Sequence, residues 1–122
     1  MTTTTINQGQ KSDIKIKKGS TYEHIFSYTD AAGVAINITG YTARMQIRVS
    51  IDDAAYVYQA LSGGDISLGG VTGETVLSIP AATTAAWTFD SGVYDLELIS
   101  PTGKVINLVG VSRVKVGPEV TR

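Results

Sequence analysis

Thr42-Ala43-Arg44-Met45-Gln46-Ile47-Arg48-Val49-Ser50-Ile51 is the stretch that decides the fold. Ala43, Met45, Ile47, Val49 and Ile51 alternate without a break with Thr42, Arg44, Gln46, Arg48 and Ser50. Successive side chains of a strand point to opposite faces, so a period of two describes one dry face and one wet face. A helix would bring Arg44 and Arg48 onto one stripe but would scatter the apolar set around its axis.

The pattern recurs on both sides of this strand. Upstream, Asp13-Ile14-Lys15-Ile16-Lys17 alternates strictly, Lys18-Gly19-Ser20 breaks the chain, and Tyr22 to Tyr28 reads as a strand with Tyr22, Phe26 and Tyr28 on one face. Residues 29–33 (TDAAG) signal a turn, and Val34 to Ile38 is expected to form a short strand. Downstream, Asp52-Asp53 opens a turn and Tyr56-Val57-Tyr58 resumes as strand. Ile66 to Leu68 sits between glycine pairs, and Glu74 to Ile79 points Leu77 and Ile79 inward. Pro80 to Ala86 is the one helical stretch, because proline suits a first turn and alanine favours helix. Trp87 and Phe89 then plug one end of the core. Val93 to Ile99 alternates Tyr94, Leu96 and Leu98 with Asp95 and Glu97, and Pro101-Thr102-Gly103 turns it into Val105 to Val116. That last strand changes character at Gly110, which predicts a bulge or bend letting one strand serve two sheets.

About 8 strands, spaced about ten residues apart, predict an all-β fold. We expect an antiparallel β-sandwich, immunoglobulin-like or jelly-roll-like, or a small barrel, with one short helix near residues 80–86. Residues 1–12 are polar and Thr-rich with Ile6 as their one apolar anchor, and are expected to be a flexible arm ordered by a partner. Residues 13–122 form a single domain.

Composition narrows the function. Eleven acidic and ten basic residues leave a net charge of −1, which argues against a nucleic-acid or anionic-membrane partner. The distribution is uneven. No Lys or Arg falls between Arg48 and Lys104, whereas Asp52, Asp53, Asp65, Glu74, Asp90, Asp95 and Glu97 do. Such asymmetry can steer like subunits together, unless neighbouring strands interleave the charges and cancel it. With no cysteine there is no disulfide and no thiolate metal site. The start Met1-Thr2-Thr3-Thr4-Thr5 lacks the form of a signal peptide, and no apolar run reaches the ~18 residues of a membrane span, so synthesis in the cytoplasm without export is expected.

No catalytic constellation emerges. The one histidine, His24, lies in a strand with no nucleophile-elbow serine, and reads as structural. Asp52 and Asp53 diverge on a turn. Asp95 and Glu97 share a strand face about 6.5–7 Å apart, near glycosidase spacing, but a solvated face explains them as well. The acidic residues do not follow a calcium-loop spacing, and the glycine pairs lack the lysine of a phosphate loop, so no metal and no cofactor is expected. Arg44, Gln46 and Arg48 make a basic strand face without interleaved aromatics, which does not suit single-stranded nucleic acid. What remains is recognition or construction.

Leu77-Ser78-Ile79-Pro80-Ala81-Ala82-Thr83-Thr84, followed after a gap by Gly92-Val93-Tyr94-Asp95-Leu96-Glu97-Leu98, resembles small β-sandwich domains of tailed-bacteriophage virion proteins. An apolar strand, a Pro-Ala-Thr helix, a Gly-x-Tyr-Asp-Leu-Glu strand, a strand carrying Gly110 and a terminal Val120-Thr121-Arg122 look like the N-terminal domain of baseplate upper proteins and of tail-fibre adaptor proteins. The resemblance implies a non-enzymatic virion component that meets other virion proteins and copies of itself, in the tail tip, baseplate or fibre attachment. Because nothing like a fibre or receptor domain follows Arg122, a separate adaptor is expected, with capsid decoration as the alternative. The candidate interface residues are Thr3, Thr4, Thr5 and Ile6 of the arm, with Tyr56, Tyr58, Arg44 and Arg48. A carbohydrate-binding sandwich is a further alternative, with Trp87, Tyr56 and Tyr58 as stacking platforms and Asp95 and Glu97 for hydroxyls. It is not favoured, because such aromatics are more often core residues.

Overall fold

A computed structural model describes residues 2–118. The terminal Val120-Thr121-Arg122 of the resemblance lies outside them. The chain is built from nine strands among the described residues: β1 (Thr2–Ile6), β2 (Ile14–Lys17), β3 (Tyr22–Tyr28), β4 (Thr42–Arg48), β5 (Tyr58–Leu61), β6 (Ile66–Leu68), β7 (Glu74–Ile79), β8 (Ser91–Ile99) and β9 (Val105–Gly117). A 3-10 turn spans Gly70–Thr72, and helix α1 spans Ala81–Ala85. The strands form two sheets, in the orders β1-β3-β7-β6 and β2-β9-β8-β4-β5. The fold is an all-β sandwich.

Alternation dictates the core. In β4, Ala43, Met45 and Ile47 are buried while Thr42 and Arg44 are exposed, as the period of two requires. Tyr94, Leu96 and Leu98 of β8 lie beside them in the same sheet, and Phe26 and Tyr28 of β3 with Leu77 and Ile79 of β7 complete the core from the other sheet. Trp87 closes one end, its ring 5.3 Å from Tyr58 at 61° and 5.1 Å from Phe89. Helix α1 is tied down by Thr84, whose buried hydroxyl accepts from Gly19 N and donates to the Ser20 carbonyl. Proline precedes this helix as its N-cap at Pro80 rather than opening it.

Several expectations are corrected. Residues 34–38 form no strand: Val34 is exposed, and one isolated bridge, Thr29 to Ala35, is all that pairs there. The alternation of the opening stretch ends at Arg48, where a turn over residues 50–53 leaves Val49 and Ile51 in solvent. Tyr56 and Val57 precede β5 and are exposed too. The sheets are mixed rather than wholly antiparallel, since β1 runs parallel to β3 and β2 parallel to β9.

The strand expected to serve both sheets is β9, yet it stays in one. Its register against β8 shifts twice between Tyr94 and Glu97, so that Leu108 and Val109 are both buried although adjacent. The segment that passes between sheets is the N-terminal one. Residues 2–6 pair with β3 of their own chain, residues 9–10 bridge to β9, and β2 then continues beside β9. An arm awaiting a partner was expected at residues 1–12; residues 2–6 instead lie seated in their own sheet, with Ile6 in the core. Hydrogen bonds to β8 and β9 hold the far side of the crossing. Gly9 N donates to Leu108 O at 3.1 Å and Gly110 N to Gln10 O at 2.8 Å. Ser12 N donates to Ser112 Oγ, the Tyr94 hydroxyl to Ser12 O, and Arg113 N to Asp13 Oδ1. Gly110 is there for room: a Cβ on it would stand 2.8 Å from the Gly9 carbonyl oxygen.

Candidate assembly surface

The outer face of the five-stranded sheet carries most of the polar residues singled out in the sequence. Cross-strand register places Arg44 between Glu97 and Leu61, and Gln46 between Asp95 and Gln59. Arg44 Nε donates to Glu97 Oε1 at 2.8 Å, an ion pair half open to solvent. Arg48 donates to Gln46 Oε1 and to the Asp53 carbonyl. Arg44, Gln46, Gln59, Leu61, Asp95 and Glu97 line a depression of about 360 Å³. Asp95 sits in its floor, and its carboxyl is held above the usual range first by burial and then by the neighbouring Glu97, against the pull of Arg48 and Arg44. The sequence asymmetry therefore cancels locally, because β4 supplies the cations that β8 lacks.

No His, Ser or Cys lines the depression; its ionisable side chains are Arg44, Asp95 and Glu97, and no group of three or more His, Cys, Asp or Glu able to hold a metal occurs among the described residues. His24 lies elsewhere, buried between the sheets. Its ring stacks on Phe26 at 4.2 Å and 8°, and the Thr4 and Tyr22 hydroxyls stand 2.8 Å from Nε2 and Nδ1. Burial lowers its pKa and pushes that of Tyr22 up to about 12. It links β1 to β3, and the acidic residues of the outer face are not among its partners.

The other candidate residues fall in three places. Thr3 and Thr5 are exposed on β1, Thr4 is half-buried against His24, and Ile6 is in the core. Tyr58 is buried too, its hydroxyl donating to Asp65 Oδ2, and Trp87 packs on it from inside. Only Tyr56 of the expected stacking aromatics is exposed, so the platform of Trp87, Tyr56 and Tyr58 is not assembled on the surface. What sequence reasoning missed is the loop between β4 and β5. There Val49, Ile51, Tyr56 and Val57 are all exposed beside Asp52 and Asp53. The turn expected at Asp52-Asp53 begins earlier, at Ser50, which ends the alternation at Arg48 and frees Val49 and Ile51.

These features define a two-sheet sandwich with a polar outer face and an apolar loop at its rim. No helix among the described residues is long and apolar enough to cross a membrane. No known protein family and no curated protein matches the chain. Among solved structures, the N-terminal domain of phage TP901-1 ORF48 matches 96% of this chain and 99% of its own, with a TM-score of 0.59 and 8% sequence identity. At that identity the likeness is one of fold. It agrees with the resemblance to β-sandwich domains of tailed-phage proteins read from residues 77–122.

Proposed function

We propose that the chain is a non-enzymatic structural subunit of a tailed-phage virion, working as an adaptor in the tail tip, baseplate or fibre-attachment region. The observation that carries this is the shared fold along almost the whole of both chains, that of the N-terminal domain of phage TP901-1 ORF48. In this reading the rigid sandwich presents its rims and the β4–β5 loop to other virion proteins and to copies of itself. Residues 2–10 serve by exchange: the seats that residues 2–6 fill on β3 and residues 9–10 on β9 are ones that an identical neighbour also presents.

The test is localisation in purified phage particles, by labelling an epitope on the chain and counting its copies. A tail location with a low copy number at the tail end supports the reading. Labelling over the whole head with hundreds of copies identifies capsid decoration instead, and absence from the particle overturns both.

A further inference from the structure

We infer that the chain associates head to tail with copies of itself, the β4–β5 loop of one copy seating on the β2 edge of the next. This rests on the assembly reading above and names its partner as a second copy.

In the sheet order β2-β9-β8-β4-β5, β9 and β8 stand between the β2 edge and the strand from which the β4–β5 loop leaves. Val49 of the loop shares a depression with Arg113 and Lys115, and Ile51 shares one with Val111, yet neither Asp52 nor Asp53 forms an ion pair among the described residues, so both charged sets are open to a second copy. The β2 rim is basic. Lys15 and Lys17 are exposed, Lys115 stands in register beside Lys15, and Arg113 follows two residues away on the same face. None of these four cations makes an ion pair among the described residues; the two pairs there are Lys18 with Asp90 and Arg44 with Glu97. Lys15, Ile16, Lys17, Lys115 and Gly117 line an open depression of about 300 Å³ there, and because Ile16 is buried in the core the apolar surface on offer is that of the lysine stems. It is a cationic edge.

The β4–β5 loop is its complement. Ile51 is 63% exposed and Tyr56 48%, and Asp52 and Asp53 stand between them with no ion pair among the described residues. Arg48 is occupied with Gln46 Oε1 and the Asp53 carbonyl, so it does not neutralise these carboxylates by direct pairing. An acidic turn flanked by exposed Ile51 and Tyr56 fits a cationic edge whose lysine stems offer apolar surface beneath it. The net charge of −1 leaves little overall repulsion between copies. Because the two patches differ, the contact is heterologous, and repeated it closes a ring or extends a filament. An exposed lysine on a strand edge also discourages strand pairing. That effect alone predicts no dependence on the acidic loop, which is where the experiment separates them.

Sedimentation of the full chain at low and high salt tests this, with the variants K15E/K17E, D52K/D53K and all four substitutions together. The wild type is expected to associate at low salt and dissociate at high salt. Each double variant is expected to weaken association by about ten- to a hundredfold, and the quadruple variant to restore it, as is an equimolar mixture of the two doubles. Circular dichroism establishes that each variant is folded. A wild type that is monomeric under all conditions, or doubles that associate normally, or a quadruple no better than the doubles, overturns the contact. None of these outcomes bears on whether the chain is found in the virion, so the two readings fail separately.

Discussion

Gly110→Ala is the sharpest probe of how the N-terminus is held. Gly110 has no left-handed φ to accommodate, so only space is at stake. The added methyl would stand 2.8 Å from the Gly9 carbonyl oxygen, which is backbone and does not swing aside as a side chain does. The crossing segment must back away, stretching the bonds from Gly110 N to Gln10 O at 2.8 Å and from Gly9 N to Leu108 O at 3.1 Å. Each is worth about 0.5–1.5 kcal/mol net, so losing both costs about 1–3 kcal/mol. Alanine stiffens the unfolded chain and returns about 0.4–1 kcal/mol. The midpoints of these ranges leave about 1.3 kcal/mol, which lowers the melting temperature of a 122-residue chain by roughly 5 °C. Hydrogen exchange supplies the spatial reading. Amides of residues 2–10 should lose protection well beyond the global change, while the β4–β8 ladder follows the global change alone. An unmoved melting temperature together with unchanged protection at residues 2–10 would show that the crossing is not held at Gly110.

Three further outcomes follow from the core. Thr75 Oγ1 is fully buried with no hydrogen-bond partner, so Thr75→Val, which keeps the shape, should stabilise by about 1 kcal/mol in urea unfolding; Thr75→Ser, which keeps the hydroxyl and loses the methyl, should destabilise. Trp87→Ala removes the plug against Tyr58 and Phe89 and should cost about 3–5 kcal/mol, a loss that a surface stacking platform would not incur. His24 is neutral in the fold because burial lowers its pKa below 6.5, so below 6.5 the unfolded chain takes up the proton first. Stability should therefore be unaffected by this group above 6.5 and fall as pH drops from there towards the folded value, and His24→Gln should flatten that fall. Parallel stability–pH curves for the two proteins would remove His24 as the cause.

Much of the sandwich was legible. The strands β2, β3, β4, β7 and β8 and helix α1 follow from local patterns, because a period of two or a Pro-Ala-Thr run is decided within a few residues. The structural reading of His24 is consistent with its two hydroxyl partners, although one of them, Thr4, lies twenty positions away and left no local trace. The candidate surface was half legible. Arg44, Arg48, Asp95 and Glu97 were placed on wet faces, but that they meet required the pairing of β4 with β8. Val49 and Ile51 misled because alternation continues past Arg48 in sequence while the backbone turns away in space.

Alternation of side chains is a property of the extended backbone, so sequence by itself determined which residues of each strand face inward, and hence that the chain folds as packed β layers. Which strands become neighbours is a long-range matter of loop closure and register, which no window of ten residues encodes. Tertiary structure alone therefore decided that the Thr-rich N-terminus seats beside β3 and that Gly110 makes way for Gly9. It alone joined the basic β2 edge and the strands that carry the acidic β4–β5 loop in one sheet.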